Sequence, residues 1–222
     1  MTSQEVITTA LEQDQQLRVV IVGHVDHGKS TLIGRLLYDT GSLPEAKLDE
    51  IKQMCDKRGT HALEWSYLLD AFQAERDQAV TIDTTQIRFA TDKRDYVIID
   101  APGHEQFLKN MVSGAAEADA AILVVDAHEG VQEQTKRHAY LLQLLGMRQV
   151  AVMVNKMDTV DHDARRFEQV AREVEQYLSS LGLTALHIVP ISARAGEMIA
   201  GHSDNMPWYT GKTMVDVLDT LE

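Results

Sequence analysis

Six short apolar runs punctuate the chain, and their lengths suit strands. They cover Leu17 to Val22, Thr84 to Thr91, Asp95 to Asp100, Ala120 to Val125, Gln149 to Val154 and Leu186 to Pro190. Between them, apolar residues recur at helical spacing over 31–38, 105–117, 133–145 and 163–181. A last helix starts near Thr213, after a loop that carries Pro207-Trp208-Tyr209. Residues 39–79 form the least strand-like long stretch. Leu48, Ile51 and Met54 mark one helix there. Trp65, Leu68, Leu69 and Phe72 mark a second, after a turn near Arg58-Gly59-Thr60. Trp65 and Phe72 read most simply as packing residues.

Only the polar Asp92-Lys93-Arg94 patch separates the second and third runs, which predicts an antiparallel hairpin at a sheet edge. Beyond it, strands and helices alternate. That pattern predicts an α/β fold, with a six-stranded, mostly parallel sheet covered by helices on both faces. Such sheets bind ligands at the carboxyl ends of their strands. The expected organisation is an N-terminal arm over residues 1–16 and one domain over 17–222, with the helical insert 39–79 inside it.

Chemistry enters at GHVDHGKS, from Gly23 to Ser30. It follows the first strand and opens the first helix, with the spacing G-x-x-x-x-G-K-S of a P-loop. Backbone N–H groups of such a loop cradle phosphates, and the helix N-terminus adds its positive end. Lys29 can reach the β- and γ-phosphates, and the Ser30 hydroxyl can hold Mg²⁺. The stretch taken to contact the nucleotide is Gly23, His24, Val25, Asp26, His27, Gly28, Lys29, Ser30 and Thr31. His24 and His27 form an HxxH, but phosphate explains the loop better than a metal, which would need further ligands.

The other motifs fall at strand ends. Asp100-Ala101-Pro102-Gly103 places a carboxylate where it can meet Mg²⁺, and the Gly103 N–H can approach a γ-phosphate. Thr81, before the hairpin, can offer a hydroxyl to the same ion and its backbone to the γ-phosphate; alone, it reads as a strand residue. His104 can orient an attacking water, or simply begin a helix. Asn155-Lys156-Met157-Asp158 suits a guanine base. The Asp158 carboxylate can accept from N1–H and the exocyclic amine, which adenine does not present. The Lys156 stem can lie along the base, and Asn155 can tie the base loop to the phosphate loop. Backbone N–H groups of Ser192-Ala193-Arg194 are candidates for guanine O6.

Composition narrows the partners. The 222 residues hold 21 basic and 34 acidic side chains, a net charge of −13, which argues against nonspecific nucleic-acid binding by this domain. A single cysteine, Cys55, cannot form an internal disulfide and suits a reducing compartment. The first 16 residues do not form a signal peptide, and no apolar run is long enough to span a membrane. The chain reads as soluble and cytoplasmic.

Taken in order, GHVDHGKS, Thr81, DAPGH, NKMD and SAR resemble the translation-factor class of GTPases, of which elongation factor Tu is the familiar member. The likeness covers residues 17–222. It implies a P-loop G domain that binds GTP and GDP with Mg²⁺ and hydrolyses GTP. It also implies Lys29 on phosphate, Ser30 and Thr81 on Mg²⁺, and Asp100 on Mg²⁺ through water. His104 becomes the water-orienting catalytic residue, with Val25 and Val80 as an apolar gate beside it. Asp26 matches a loop aspartate associated with a monovalent cation such as K⁺.

Finer signs point within the class. The insert WSYLLDAFQAERDQAVTID is similar to archaeal and eukaryotic elongation factors and to the GTP-binding large subunit of sulfate adenylyltransferase. Gln78, Glu105-Gln106 and the run GKSTLIGRLLYDTGSL resemble the sulfate subunit. His24 and His27 depart from it, and Ala79 replaces the usual glycine before Thr81. The expectation is therefore the regulatory GTPase of sulfate activation, partnered by a sulfate adenylyltransferase catalytic subunit. The alternative is an elongation-factor domain that delivers aminoacyl-tRNA to the ribosome. The relatives' two β-barrel domains are not expected within these residues. His104→Ala is expected to slow GTP hydrolysis and leave nucleotide affinity nearly intact; single-turnover hydrolysis beside a binding titration checks this, and a large affinity loss removes the assigned role.

Overall fold

The computed structural model describes residues 16–57, 65, 67, 86–100 and 118–222. All six predicted strands are present, with bounds shifted by one or two residues at most ends. They are β1 (Gln16–Gly23), β2 (Gln86–Ala90), β3 (Asp95–Asp100), β4 (Ala120–Asp126), β5 (Val150–Asn155) and β6 (Ala185–Pro190). They form one six-stranded sheet in the order β2-β3-β1-β4-β5-β6. Only the edge pair β2–β3 is antiparallel, as its short polar turn predicts. Of the expected arm, Gln16 opens β1 and the rest lies outside the described residues.

Every residue of β4 (AAILVVD) and β5 (VAVMVN) is buried. A parallel strand covered on both faces must be apolar along its length, and these two are apolar up to their carboxyl-end residues, Asp126 and Asn155. The covering helices are α1 (Lys29–Asp39), α2 (Glu45–Lys57), α3 (Glu133–Leu144), α4 (Ala164–Ser180) and the short α5 (Met214–Leu218). Helix α3 packs on β1 and β4, and α4 on β5 and β6. The α4 stripe Phe167, Val170, Val174 and Leu178 is buried, which matches one face of a 3.6-residue period. Asp163 caps this helix by accepting the Arg165 N–H at 3.1 Å. Thr213 and Asp216 cap α5 reciprocally.

The helical insert is described in part. Asp39 belongs to α1, and α2 supplies the first predicted insert helix, with Ile51 and Cys55 buried. Trp65 is buried, as its packing role requires, with its ring 4.7 Å from that of Tyr38. The predicted residues Leu68, Leu69 and Phe72, and the helix at 105–117, lie outside the described residues. Among the described residues, no helix is long and apolar enough to cross a membrane.

Candidate functional site

The phosphate loop leaves β1 at the centre of the sheet, between β3 and β4, where chain connections depart to opposite sides. Two glycines are required by their surroundings. A Cβ at Gly23 would collide with the Val124 carbonyl oxygen. At Gly28 the backbone is left-handed (φ 86°), and a Cβ would lie 2.5 Å from Asn155 Nδ2. Asp26 also adopts φ 65°. Lys29 is buried, and its ammonium donates to the Gly23 and His24 carbonyls at 2.8 Å each. The lysine is thus anchored across the loop whose N–H groups would face phosphate. Ser30 and Thr31 sit in the first turn of α1.

Asn155 ends β5 and is 1% exposed. Its Nδ2 donates to His27 O at 2.9 Å, and its Oδ1 accepts from the Ala193 N–H at 3.0 Å. One carboxamide therefore joins the phosphate loop, the NKMD loop and the SAR loop, as the sequence suggested for the first two. Asp158 Oδ1 accepts from Ser192 Oγ at 2.6 Å, and Met157 N–H donates to Ile191 O at 3.1 Å. The resulting cleft of about 200 Å³ is lined by Gly28, Thr31, Asn155, Lys156, Asp158, Ala193 and Arg194, among others. The sequence offered the N–H groups of Ser192, Ala193 and Arg194 as candidates for guanine O6, and the first two can be followed. Here both are engaged within the protein, Ser192 with Glu197 O at 3.2 Å and Ala193 with Asn155.

Lys156 adopts a left-handed backbone (φ 63°), and its ammonium lies 2.7 Å from Asp126 Oδ2. Asp126, buried at the end of β4, was not singled out from sequence. Its Oδ1 accepts from the His128 and Glu129 N–H groups at 2.7 and 3.2 Å. Burial works to raise the Asp126 pKa, but Lys156 and the two N–H groups outweigh it and hold the carboxyl below its ordinary range. The only sequence signal is its place at a strand end, like Asp100.

Of the two loop histidines, His27 turns inward and His24 is half-buried. His27 is fully buried, with Nδ1 3.2 Å from Val124 O and Nε2 3.2 Å from Glu129 Oε2. Its backbone, through the carbonyl, meets Asn155. The His24 and His27 rings meet edge to face at 5.0 Å. Burial lowers the His27 pKa. It pushes His138, on α3, down to about 4, with Lys29 contributing. Both imidazoles are thus neutral near pH 7, which avoids adding buried positive charge beside Lys29.

Thr81, Gly103 and His104 lie outside the described residues. Asp100 is placed by its backbone alone: it ends β3 and pairs with Ile21 of β1, two residues before Gly23. The oxygen donors assigned to Mg²⁺, from Ser30, Thr81 and Asp100, are the chemistry a hard cation takes.

A mostly parallel sheet with a P-loop after its central strand, joined through one asparagine to an NKxD loop, defines a guanine-nucleotide-binding domain of the P-loop class. More narrowly, the chain belongs to the elongation factor Tu GTP binding domain family, which it matches over residues 14–222. Elongation factor 1-alpha of Pyrococcus furiosus is 46% identical over 205 residues, which cover 92% of this chain and 47% of that protein. The chain thus spans about half the length of the curated relatives it matches. Among solved structures, the GTPase-like domain of S. cerevisiae Ski7, bound to GDP and inorganic phosphate, has a TM-score of 0.79 at 19% identity, covering 98% of this chain and 51% of that one. Sup35 complexed with GDP has a TM-score of 0.66 at 24% identity, covering 93% and 45%. These two likenesses bear on fold.

Asn155→Ala removes a donor and an acceptor from buried partners. It is expected to lower unfolding free energy by about 2–4 kcal/mol, measured by denaturant titration without nucleotide.

Proposed function

We propose that this domain binds GTP and GDP with Mg²⁺, hydrolyses GTP, and serves as the nucleotide switch of a translation elongation factor. The observation that carries the nucleotide reading is Asn155, which holds the phosphate loop and both base-reading loops in one arrangement. In this reading Lys29 and the loop N–H groups stabilise charge on the phosphoryl oxygens. Asp158 reads the guanine edge, and the stem of Lys156 lies along the base while Asp126 fixes its ammonium. Ser192, Ala193 and Arg194 close the pocket near O6, where the Ala193 N–H is shared with Asn155 or released from it. His104 orients the attacking water, and Val25 and Val80 flank it. Ser30, Thr81 and Asp100 would hold Mg²⁺, which supplies charge neutralisation at the phosphates. Asp26 would take the monovalent cation that the family resemblance associates with this loop aspartate.

The choice of pathway reverses the preference read from the sequence. Gln78, Glu105-Gln106 and the run GKSTLIGRLLYDTGSL pointed to sulfate adenylyltransferase, but together they are a small part of the chain. Identity of 46% over 205 residues with an archaeal elongation factor 1-alpha outweighs them and supports the translation reading. Delivery of aminoacyl-tRNA to the ribosome would then depend on parts of the protein beyond this domain as well as on its switch.

The test is the GTPase rate of the protein alone, with ribosomes, and with a sulfate adenylyltransferase catalytic subunit. Stimulation by ribosomes is expected, and stimulation by the sulfate enzyme alone would reverse the assignment. Asp158→Asn is expected to shift preference from guanine to xanthine nucleotides, because xanthine offers a carbonyl where guanine offers an amine. On the order of a hundredfold loss of GDP affinity should accompany it; an unchanged GDP titration removes Asp158 as the base reader.

A further inference from the structure

The loop after the guanine motif bends through two consecutive left-handed residues, Asp161 (φ 51°) and His162 (φ 54°). Neither is glycine, so this backbone is unfavourable and persists only where contacts hold it. His162 is held from three directions. Its N–H donates to Met157 O at 2.9 Å, and its carbonyl accepts from the Trp208 indole N–H at 3.0 Å. Its Nε2 lies 2.7 Å from Glu197 Oε2. Trp208 is itself packed on Phe167 of α4, with ring centroids 5.4 Å apart.

Glu197 is fixed just as closely. Its Oε1 accepts from Ser203 Oγ at 3.0 Å and from Asn205 Nδ2 at 2.5 Å. Its backbone exchanges hydrogen bonds with Ser192, at 3.2 Å and 3.0 Å. Ser192 Oγ in turn donates to Asp158. His162 and Asp158 thus share one loop, Glu197 and Ser192 share the other, and the imidazole–carboxylate contact closes a ring that includes the base-reading carboxylate. Neither His162 nor Glu197 lines the cleft itself.

We propose that His162 and Glu197 are a positioning pair that sets how Asp158 meets the guanine edge, and so tunes discrimination among purine bases. The inference rests on the reading that this cleft binds guanine. Guanine offers the carboxylate two donors, N1–H and the 2-amine; hypoxanthine offers only N1–H. A carboxylate held in one orientation gains from the second donor. One on a slack loop loses that gain first, because two parallel hydrogen bonds demand alignment and one does not.

The experiment titrates GDP, IDP and ADP against the 222-residue chain and its His162→Ala and His162→Gln variants, with thermal midpoints recorded. The wild type is expected to prefer GDP over both others. His162→Ala should weaken GDP on the order of tenfold and IDP by less than about threefold, so that the GDP:IDP preference shrinks. His162→Gln keeps an amide N–H near the position of Nε2 and should restore most of the preference. Equal losses for GDP and IDP, or an unchanged ratio, overturn the proposal, because a purely structural residue moves both ligands together. If the wild type binds ADP as well as GDP, the guanine reading itself fails and takes this inference with it. Should His162→Ala not fold, Glu197→Gln, which removes the charge and keeps the volume, is expected to shrink the ratio about threefold; no change there overturns the pairing.

Discussion

The Asn155 carboxamide is the contact on which the site depends. It is buried at a strand end, its donor is spent on the phosphate loop and its acceptor on the SAR loop. Three segments far apart in sequence are thereby held at hydrogen-bond distance, and the cleft between them exists because of it. A buried amide left unpaired is costly, so this arrangement is stabilised as a whole and not contact by contact. Gly28 belongs to the same constraint, since a side chain there would occupy the space of the Asn155 amide.

Sheet register makes that contact possible. Gly23 of β1 pairs with Val124 of β4, and Asp126 of β4 pairs with Asn155 of β5. Neighbouring parallel strands therefore release their chains at nearly the same height. Asp126 and Asn155 emerge side by side, one to hold the Lys156 ammonium and the other to hold the loops. A shift of register by one residue would turn each of these side chains to the opposite face. The apolar strands thus position the polar chemistry, although they take no part in it.

Beneath the loop the buried charges are compensated within the protein. Lys156 is paired with a buried carboxylate, and Lys29 is anchored on loop carbonyls. Burial keeps His27 and His138 uncharged. A phosphate-binding loop has to gather positive potential without unpaired buried charge, and this arrangement meets both demands. Outside the cleft, His162 and Glu197 extend the same bracing to the second pair of loops.

Local patterns determined the strands, the antiparallel edge and most of the helices: short apolar runs, one three-residue polar turn, and apolar residues 3.6 apart. Motif spacing determined the phosphate loop and the guanine reader, because those chemistries need particular residues within a few positions of each other. Few-residue likenesses within the family were a poorer guide, and they misdirected the choice of pathway. Tertiary structure decided what spacing cannot express. It made Asp126 the partner of Lys156, turned His27 inward, and engaged the Ala193 N–H that the sequence offered to the base. It also brought His162 to Glu197, 35 residues away in the chain. Each of these depends on which strand ends lie side by side, and that is a property of the folded sheet and not of any single segment.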